Sequence, residues 1–428
     1  MNFQDKTQAM LKKKIRKISQ DSFVRNNVIF FAGSMVVAVL NYLYHPILGR
    51  MMSVEEFGEV QSLISLFMQL AVFTGIFNML VINITTNYED KEERDIVISA
   101  LRRIALGIIG FLFAFIVLFS SFLQDFFQFE SLYPFIALAC LLLTGVDFTF
   151  RKAFLQGISD FKSVSWSGII FSSGRLCFAI ALVFLGFKSL GAIIGLLIAQ
   201  GIALVFVFSK TKTKLKFGKW NKDKVMTVIK KEWRYATLIF LATSAVAFLY
   251  TADVLMVKHW FSPEEAGLYS GIATIARIIF FATGSVSGVL LSAVKIKNSS
   301  AENQKILKKG MCMIFLIVAG GVLVFSVFSK LVITILIGAR YVGLAPLLGR
   351  LSLLLGLVSV INLLFFYFLA LRKSIIFTAS LAGPIMISLL SFFNHENLGQ
   401  IVNNFIIGSI VVLVMLLGGI YKKNNSHK

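Results

Sequence analysis

Apolar runs of about twenty residues, each closed by a cluster of charged or turn-forming residues, recur from residue 26 to residue 421. At 1.5 Å of rise per residue, such a run crosses roughly 30 Å of hydrocarbon, so each one predicts a membrane-spanning helix. The breaks place spans at 26–48, 57–83, 102–123, 133–151, 163–187, 189–209, 235–258, 266–292, 310–337, 344–371, 374–393 and 399–421. The ninth is the least regular, because Ser329-Lys330 interrupts it before the short run Leu331–Gly338. The expected fold is an all-α polytopic membrane protein of twelve spans.

The segment 210–234 has ten Lys/Arg and no long apolar run, and it divides the spans six and six. This predicts an N-terminal lobe over 26–209, a basic linker over 210–234, a C-terminal lobe over 235–421, and tails at 1–25 and 422–428. The lobes read as copies. Ser53-Val54-Glu55-Glu56-Phe57-Gly58 returns as Ser262-Pro263-Glu264-Glu265-Ala266-Gly267, and Thr74-Gly75 returns at the same offset as Thr283-Gly284. Six helices per copy put both copies in the membrane with the same orientation, a parallel repeat whose transport site is expected between the lobes near the midplane. Each Ser is expected to cap the following helix, with the two Glu favoured at the positive end of its dipole.

Charge orients the spans. The net charge is +21, and its placement between apolar runs argues for cytoplasmic loops rather than nucleic acid. With the first tail inside, 34 Lys/Arg fall on the inner side and six on the outer, which predicts both termini in the cytoplasm. The first tail does not read as a cleaved signal, since its polar, Lys-rich stretch precedes a full-length span. Within it Leu11, Ile15 and Ile18 form a stripe flanked by Lys and Arg, the pattern of a helix on an anionic leaflet. Hydrophobic residues make up 57 % of the chain and charged residues 15 %, which excludes a globular cytosolic enzyme. Cys140, Cys177 and Cys312 lie inside apolar runs and read as helix-packing residues.

Polar groups inside spans mark the candidate path, since a charge at mid-bilayer costs about 3 kcal/mol on insertion scales and faces protein or a wet cavity. Arg277 lies about 16 Å from the outer end of the eighth span, near the midplane. Ser270, Thr274 and Arg277 share one helical face, continued by Gly284, Ser285 and Gly288. Ser34, Asn41 and His45 share a face of the first span, and Gln61, Ser65 and Gln69 a face of the second. Arg175 is equally deep in the fifth span; its depth leaves open an anion site or a structural pair. Asp253, near the outer end of the seventh, reads as an H+ or Na+ coupling site or as the partner of Arg277. Asp147 reads as the partner of Arg151 or Lys152. His259 and His395 are span-end histidines.

Several stretches resemble polysaccharide repeat-unit flippases of the Wzx type in the MOP exporter superfamily. Gly49-Arg50-Met51-Met52-Ser53-Val54-Glu55-Glu56-Phe57-Gly58 is similar to that family's first outer loop. Phe154-Leu155-Gln156-Gly157 with Asp160-Phe161, Asp253 followed by Glu265-Ala266-Gly267-Leu268-Tyr269-Ser270, and Ile337-Gly338 with Tyr341 are similar to three later signatures. The resemblance implies a MOP flippase fold with a central cavity lined mainly by the first, second, seventh and eighth spans, and leaves the fifth further out. It implies transfer of undecaprenyl-diphosphate-linked oligosaccharides across the bacterial cytoplasmic membrane for capsule, exopolysaccharide or a related envelope glycan. Partners then include membrane lipids, a polysaccharide polymerase and chain-length machinery. Arg277, Arg175 and Arg25 at the inner mouth become the candidate diphosphate contacts, because an Arg fork binds phosphate bidentately.

Two other readings share parts of this pattern. A MATE-like multidrug antiporter has the same architecture but wants acidic residues in its cavity, whereas the deep charges here include two arginines. A membrane glycan polymerase or ligase wants a sizeable outer loop, and the outer loops here are short. No Walker A, no Gly-x-Ser-x-Gly and no metal spacing occurs, so neither catalysis by this chain nor a cofactor is expected.

Overall fold

The computed structural model describes the backbone of residues 22–215 and 222–425, and the side chains of 32–215, 233–291 and 293–420. The amphipathic stretch 2–22 therefore lies largely outside the described residues, as does the side chain of Arg25. The described chain is helical, with no strand. The first lobe comprises α1 Ser22–Met51, α2 Val54–Leu70, α3 Val72–Asn87, α4 Lys91–Leu118, α5 Ser120–Phe126, α6 Tyr133–Gly157, α7 Phe161–Phe184 and α8 Lys188–Thr211. The second comprises α9 Lys222–Trp260, α10 Pro263–Ala293, α11 Ser300–Val327, α12 Ser329–Leu336, α13 Ala345–Ala370, α14 Ile375–Phe393 and α15 Leu398–Asn425. Ten of these helices are long and apolar enough to cross a membrane, and α2 with α3 forms one further span bent by 44°. With α1 in first place, the helices occupy the twelve expected positions. This is a multi-pass membrane protein.

The two copies share their local chemistry. Ser53 and Ser262 each accept from the backbone N–H three residues on, and the Glu56 and Glu265 carboxylates accept from the Ser backbone N–H, closing a capping box at the start of α2 and of α10. Thr74 and Thr283 each donate to the carbonyl three residues back, at 2.8 Å in both cases. The copies differ in shape. The expected second span breaks at Ala71, whereas α10 runs unbroken from Pro263 to Ala293. A Thr hydroxyl bonding backward and a following Gly both loosen a helix. Because the same Thr-Gly pair leaves α10 intact, it permits the bend without forcing it.

Some boundaries differ from the sequence expectation. The helix of the third span begins at Lys91, because Asp90 caps it through the Glu92 N–H, so a charged turn precedes the apolar run. The seventh begins at Lys222, inside the segment read as linker. The ninth stops at Val327 and resumes at Ser329, at the interruption expected there. A 3-10 turn over Ala339–Leu344 then follows Gly338, whose φ of +110° suits only glycine.

The core of the second lobe is α13: 72 % of its apolar stretch is buried, against 17 % for α11, which faces outward. Across the lobes, α2 packs on α10 and α9 at the end carrying the two Ser-Glu-Glu motifs. There Gly58 and Gly267 meet so closely that a Cβ on Gly267 would stand 2.1 Å from the Val54 carbonyl oxygen. In the other half of the same helices, Gly75, Gly284 and Gly288 have open space where a Cβ would be, and Phe281 and Val289 are exposed. So α2–α3 and α10 touch at the motif end and separate towards the other, where α9 still meets α3, with the Phe73 and Phe240 ring centroids 5.1 Å apart. Cys177 and Cys312 are exposed, so the packing role expected for them does not hold; both sit on helices whose outer faces are largely uncovered.

Candidate functional site

A chamber of about 700 Å³ opens between α1, α2, α7 and α10. α1 lies against α7 rather than α2. Small residues permit this approach: Gly33 sits against Ser165, and Gly168 against Val37. The fifth span, expected to lie further out, is thereby a chamber wall, and it carries Arg175 inward. The seventh span contributes no lining side chain and stands behind α10.

Of the expected residues, Arg277, Arg175 and Thr274 line the chamber together with Ser34, Asn41, His45 and Gln61. Ser65, Ser270, Gln69 and Asp253 stand behind the wall. Ser65 accepts from Arg277 Nη2 at 3.2 Å, Gln69 donates to Thr251 at 3.1 Å, and Ser270 is fully buried. A polar chain crosses between the lobes: Gln61 Nε2 is 3.0 Å from His45 Nδ1, and Thr274 Oγ1 is 3.1 Å from Gln61 Oε1.

The two arginines are held differently. Arg277 Nε donates to the Tyr250 carbonyl at 2.9 Å, and Nη2 lies 3.6 Å from Asp253, which also accepts from the Tyr269 hydroxyl at 2.9 Å. Asp253 and Arg277 are therefore an ion pair, 2 % and 5 % exposed at their side chains. Arg175 lies over the ring of Tyr44, with its guanidinium carbon 3.8 Å from the ring centroid. Its Nε and Nη2 are buried and meet no hydrogen-bond partner among the described residues. Buried donors of that kind call for a reason.

Asp147 forms its ion pair with Arg102, whose Nη2 donates to it at 2.8 Å, where the sequence suggested Arg151 or Lys152. Arg151 instead donates to Thr211 at 2.8 Å, and Lys152 lies over Phe148. The misreading came from proximity in sequence: Arg102, on a neighbouring helix, is the residue that meets Asp147 in space.

Three residues of interest escaped the sequence reading. Tyr44 is one, a fully buried aromatic with no polar signature. Glu59 and Lys258 are the others, and both sit at the motif end. Glu59 accepts from the Glu130 N–H at 3.2 Å and from the Ser189 hydroxyl. Lys258, from the other lobe, is 1 % exposed and lies 5.2 Å from the Phe129 ring centroid, and its Nζ has no hydrogen-bond partner among the described residues. Next to it Gln128 donates to the His259 carbonyl at 3.0 Å, and the His259 ring stacks on Phe126. Further along this end, Arg340 donates to the carbonyls of Met52 and Arg50, and Arg50 donates back to Ile335. His395 stacks on Trp260. No cluster of three or more metal-ligating side chains occurs among the described residues.

The chain is similar to a lipid II flippase MurJ in an inward closed conformation, with 18 % identity over 92 % of this chain and 87 % of that one and a TM-score of 0.66. It is similar to an inward-facing MATE multidrug transporter of the MOP superfamily, with 13 % identity over 94 % and 99 % and a TM-score of 0.67. A further likeness is to the MATE multidrug transporter DinF-BH, at 15 % identity over 93 % and 94 % and a TM-score of 0.69. At these identities the likeness carries the fold. No curated protein sequence matches. Residues 23–291 match the family described as "Polysaccharide biosynthesis protein", and the chain belongs to that family, with the fold of the MOP flippases and transporters.

Proposed function

We propose that this protein is a flippase that carries a polyprenyl-diphosphate-linked oligosaccharide across the bacterial cytoplasmic membrane by alternating access, for capsule, exopolysaccharide or a related envelope glycan. The observation that supports this most is the chamber's charge: two guanidiniums stand in a half-open, largely apolar space, and one of them keeps its donors unspent. A diphosphate carries two or more negative charges and accepts several hydrogen bonds, so it answers both features. The sugars meet the Asn41, Gln61 and Thr274 side, while the polyprenyl chain stays in lipid.

In this reading the motif end faces out, both termini and the 210–234 linker are cytoplasmic, and the contacts around Gly58 and Gly267 keep the outer end shut while the headgroup enters from inside. The lobes then rock to reverse the opening. A polymerase and chain-length machinery consume the product outside. A cationic drug is the poorer cargo, because the carboxylate nearest the chamber, Asp253, is already paired with Arg277.

Purified protein in liposomes tests this with a fluorescent polyprenyl-diphosphate disaccharide. Replacing Arg175 by Ala, which leaves the Asp253–Arg277 pair intact, reduces translocation at least tenfold in protein that still folds and inserts. Near-normal translocation by that variant overturns the proposal.

A further inference from the structure

The chamber's two cations are not equivalent. Arg277 spends its Nε on the Tyr250 carbonyl and its Nη2 on Ser65 and Asp253, so both its charge and its fork are partly used by the protein. Arg175 has no carboxylate within salt-bridge distance among the described residues, and what holds it is the ring of Tyr44. The difference matters chemically. A guanidinium's five N–H bonds lie in its plane, so stacking on a ring face anchors the cation without consuming any of them. A carboxylate partner would take two of the five and cancel the charge.

Tyr44 suits this task and shows no other. It is fully buried, its hydroxyl meets no hydrogen-bond partner among the described residues, and it packs edge-on against His45 at 5.4 Å. The close approach of α1 to α7 through Gly33 and Gly168 sets the ring-to-cation distance. We infer that Tyr44 is a positioning residue whose ring face carries Arg175 as the chamber's gripping cation for a diphosphate group. This rests on the glycolipid reading above and assigns the grip within it: Arg175 holds the cargo, while Arg277 ties α10 to α2 and α9.

Full-length protein in lipid nanodiscs tests the inference, with geranylgeranyl diphosphate and geranylgeraniol as probes. Tyr44 is replaced by Phe and then by phenylalanines bearing increasing numbers of ring fluorines, which drain the negative face at almost constant size. The Phe variant keeps the ring and binds the diphosphate as the native protein does. Affinity for the diphosphate then falls stepwise, by about tenfold across the series, while affinity for the alcohol stays constant. Tyr44→Leu reproduces the full loss, and in an Arg175→Ala background it adds none, because Tyr44 acts through Arg175. A flat fluorine series overturns the inference, as does a Phe variant as weak as the Leu one, or a further loss in the double variant. A native protein that binds the alcohol as tightly as the diphosphate overturns the glycolipid reading itself.

Discussion

The same pair of helices, α2–α3 and α10, is tight at one end and loose at the other. At the motif end Gly58 and Gly267 touch backbone to backbone, and Lys258, Glu59, Arg50 and Arg340 interlock around them. In the opposite half Gly75, Gly284 and Gly288 face open space. Glycine thus serves two purposes in one repeat. Where helices cross it admits a backbone, and where they part it keeps the facing surfaces bare. A rocking transporter needs both, since closing one end requires that the other be free to separate.

The comparison breaks first at Gly267. A Val there sets a side chain 2.1 Å from the Val54 carbonyl oxygen, which cannot move aside as a side-chain tip does. We expect destabilisation of about 3 kcal/mol. A fall in melting temperature in detergent, with new labelling of an engineered cysteine at the buried Ala192 by an impermeant maleimide, checks it; unchanged melting and labelling refute it.

A smaller and two-signed effect comes from the buried charges. Lys258 carries an unbonded ammonium out of water, so Lys258→Met removes a desolvation penalty and leaves the motif end as stable or more so. Glu59→Gln keeps that penalty and removes a neighbouring carboxylate, loosening the same end by about 2 kcal/mol. The maleimide assay reads both, and changes in the same direction refute the arrangement. Smallest is Gly284→Ala. With open space around it, the substitution adds only helix propensity and stabilises α10 by up to about 1 kcal/mol, visible as a slight rise in melting temperature. A fall there would show that the inner half is not open.

Much of this end was legible in the sequence. Ser53, Ser262 and their glutamates announce helix starts through a local rule, and the interruption at Ser329 follows from polarity alone. Arg277 stands out because a charge in an apolar run is costly wherever it lies. What the pattern does not carry is which helix is whose neighbour. Periodicity assigns a residue to a face, but Arg175 reaches the chamber only because α1 packs on α7. The hint was the small-residue character of the fifth span, with Ser163, Ser167, Gly168, Ser172 and Gly174 along it. Lys258 was hidden for the opposite reason. A cation near a span end reads as a loop charge, and its burial depends on a loop from the other lobe.

The length of α9 carries a mechanical consequence. Its 39 residues make a rod of about 58 Å, nearly twice the hydrocarbon thickness, anchored in the interlocked end by Lys258 and His259. About 16 Å of that rod, residues 222–232, precedes the apolar stretch Trp233–Trp260 as a helical handle whose sequence carries Lys222, Lys224, Lys230 and Lys231. Any tilt of the second lobe sweeps this handle through the aqueous phase as a crowbar moves its free end, so a membrane surface or a neighbouring protein that seizes it gains leverage over the whole transport cycle.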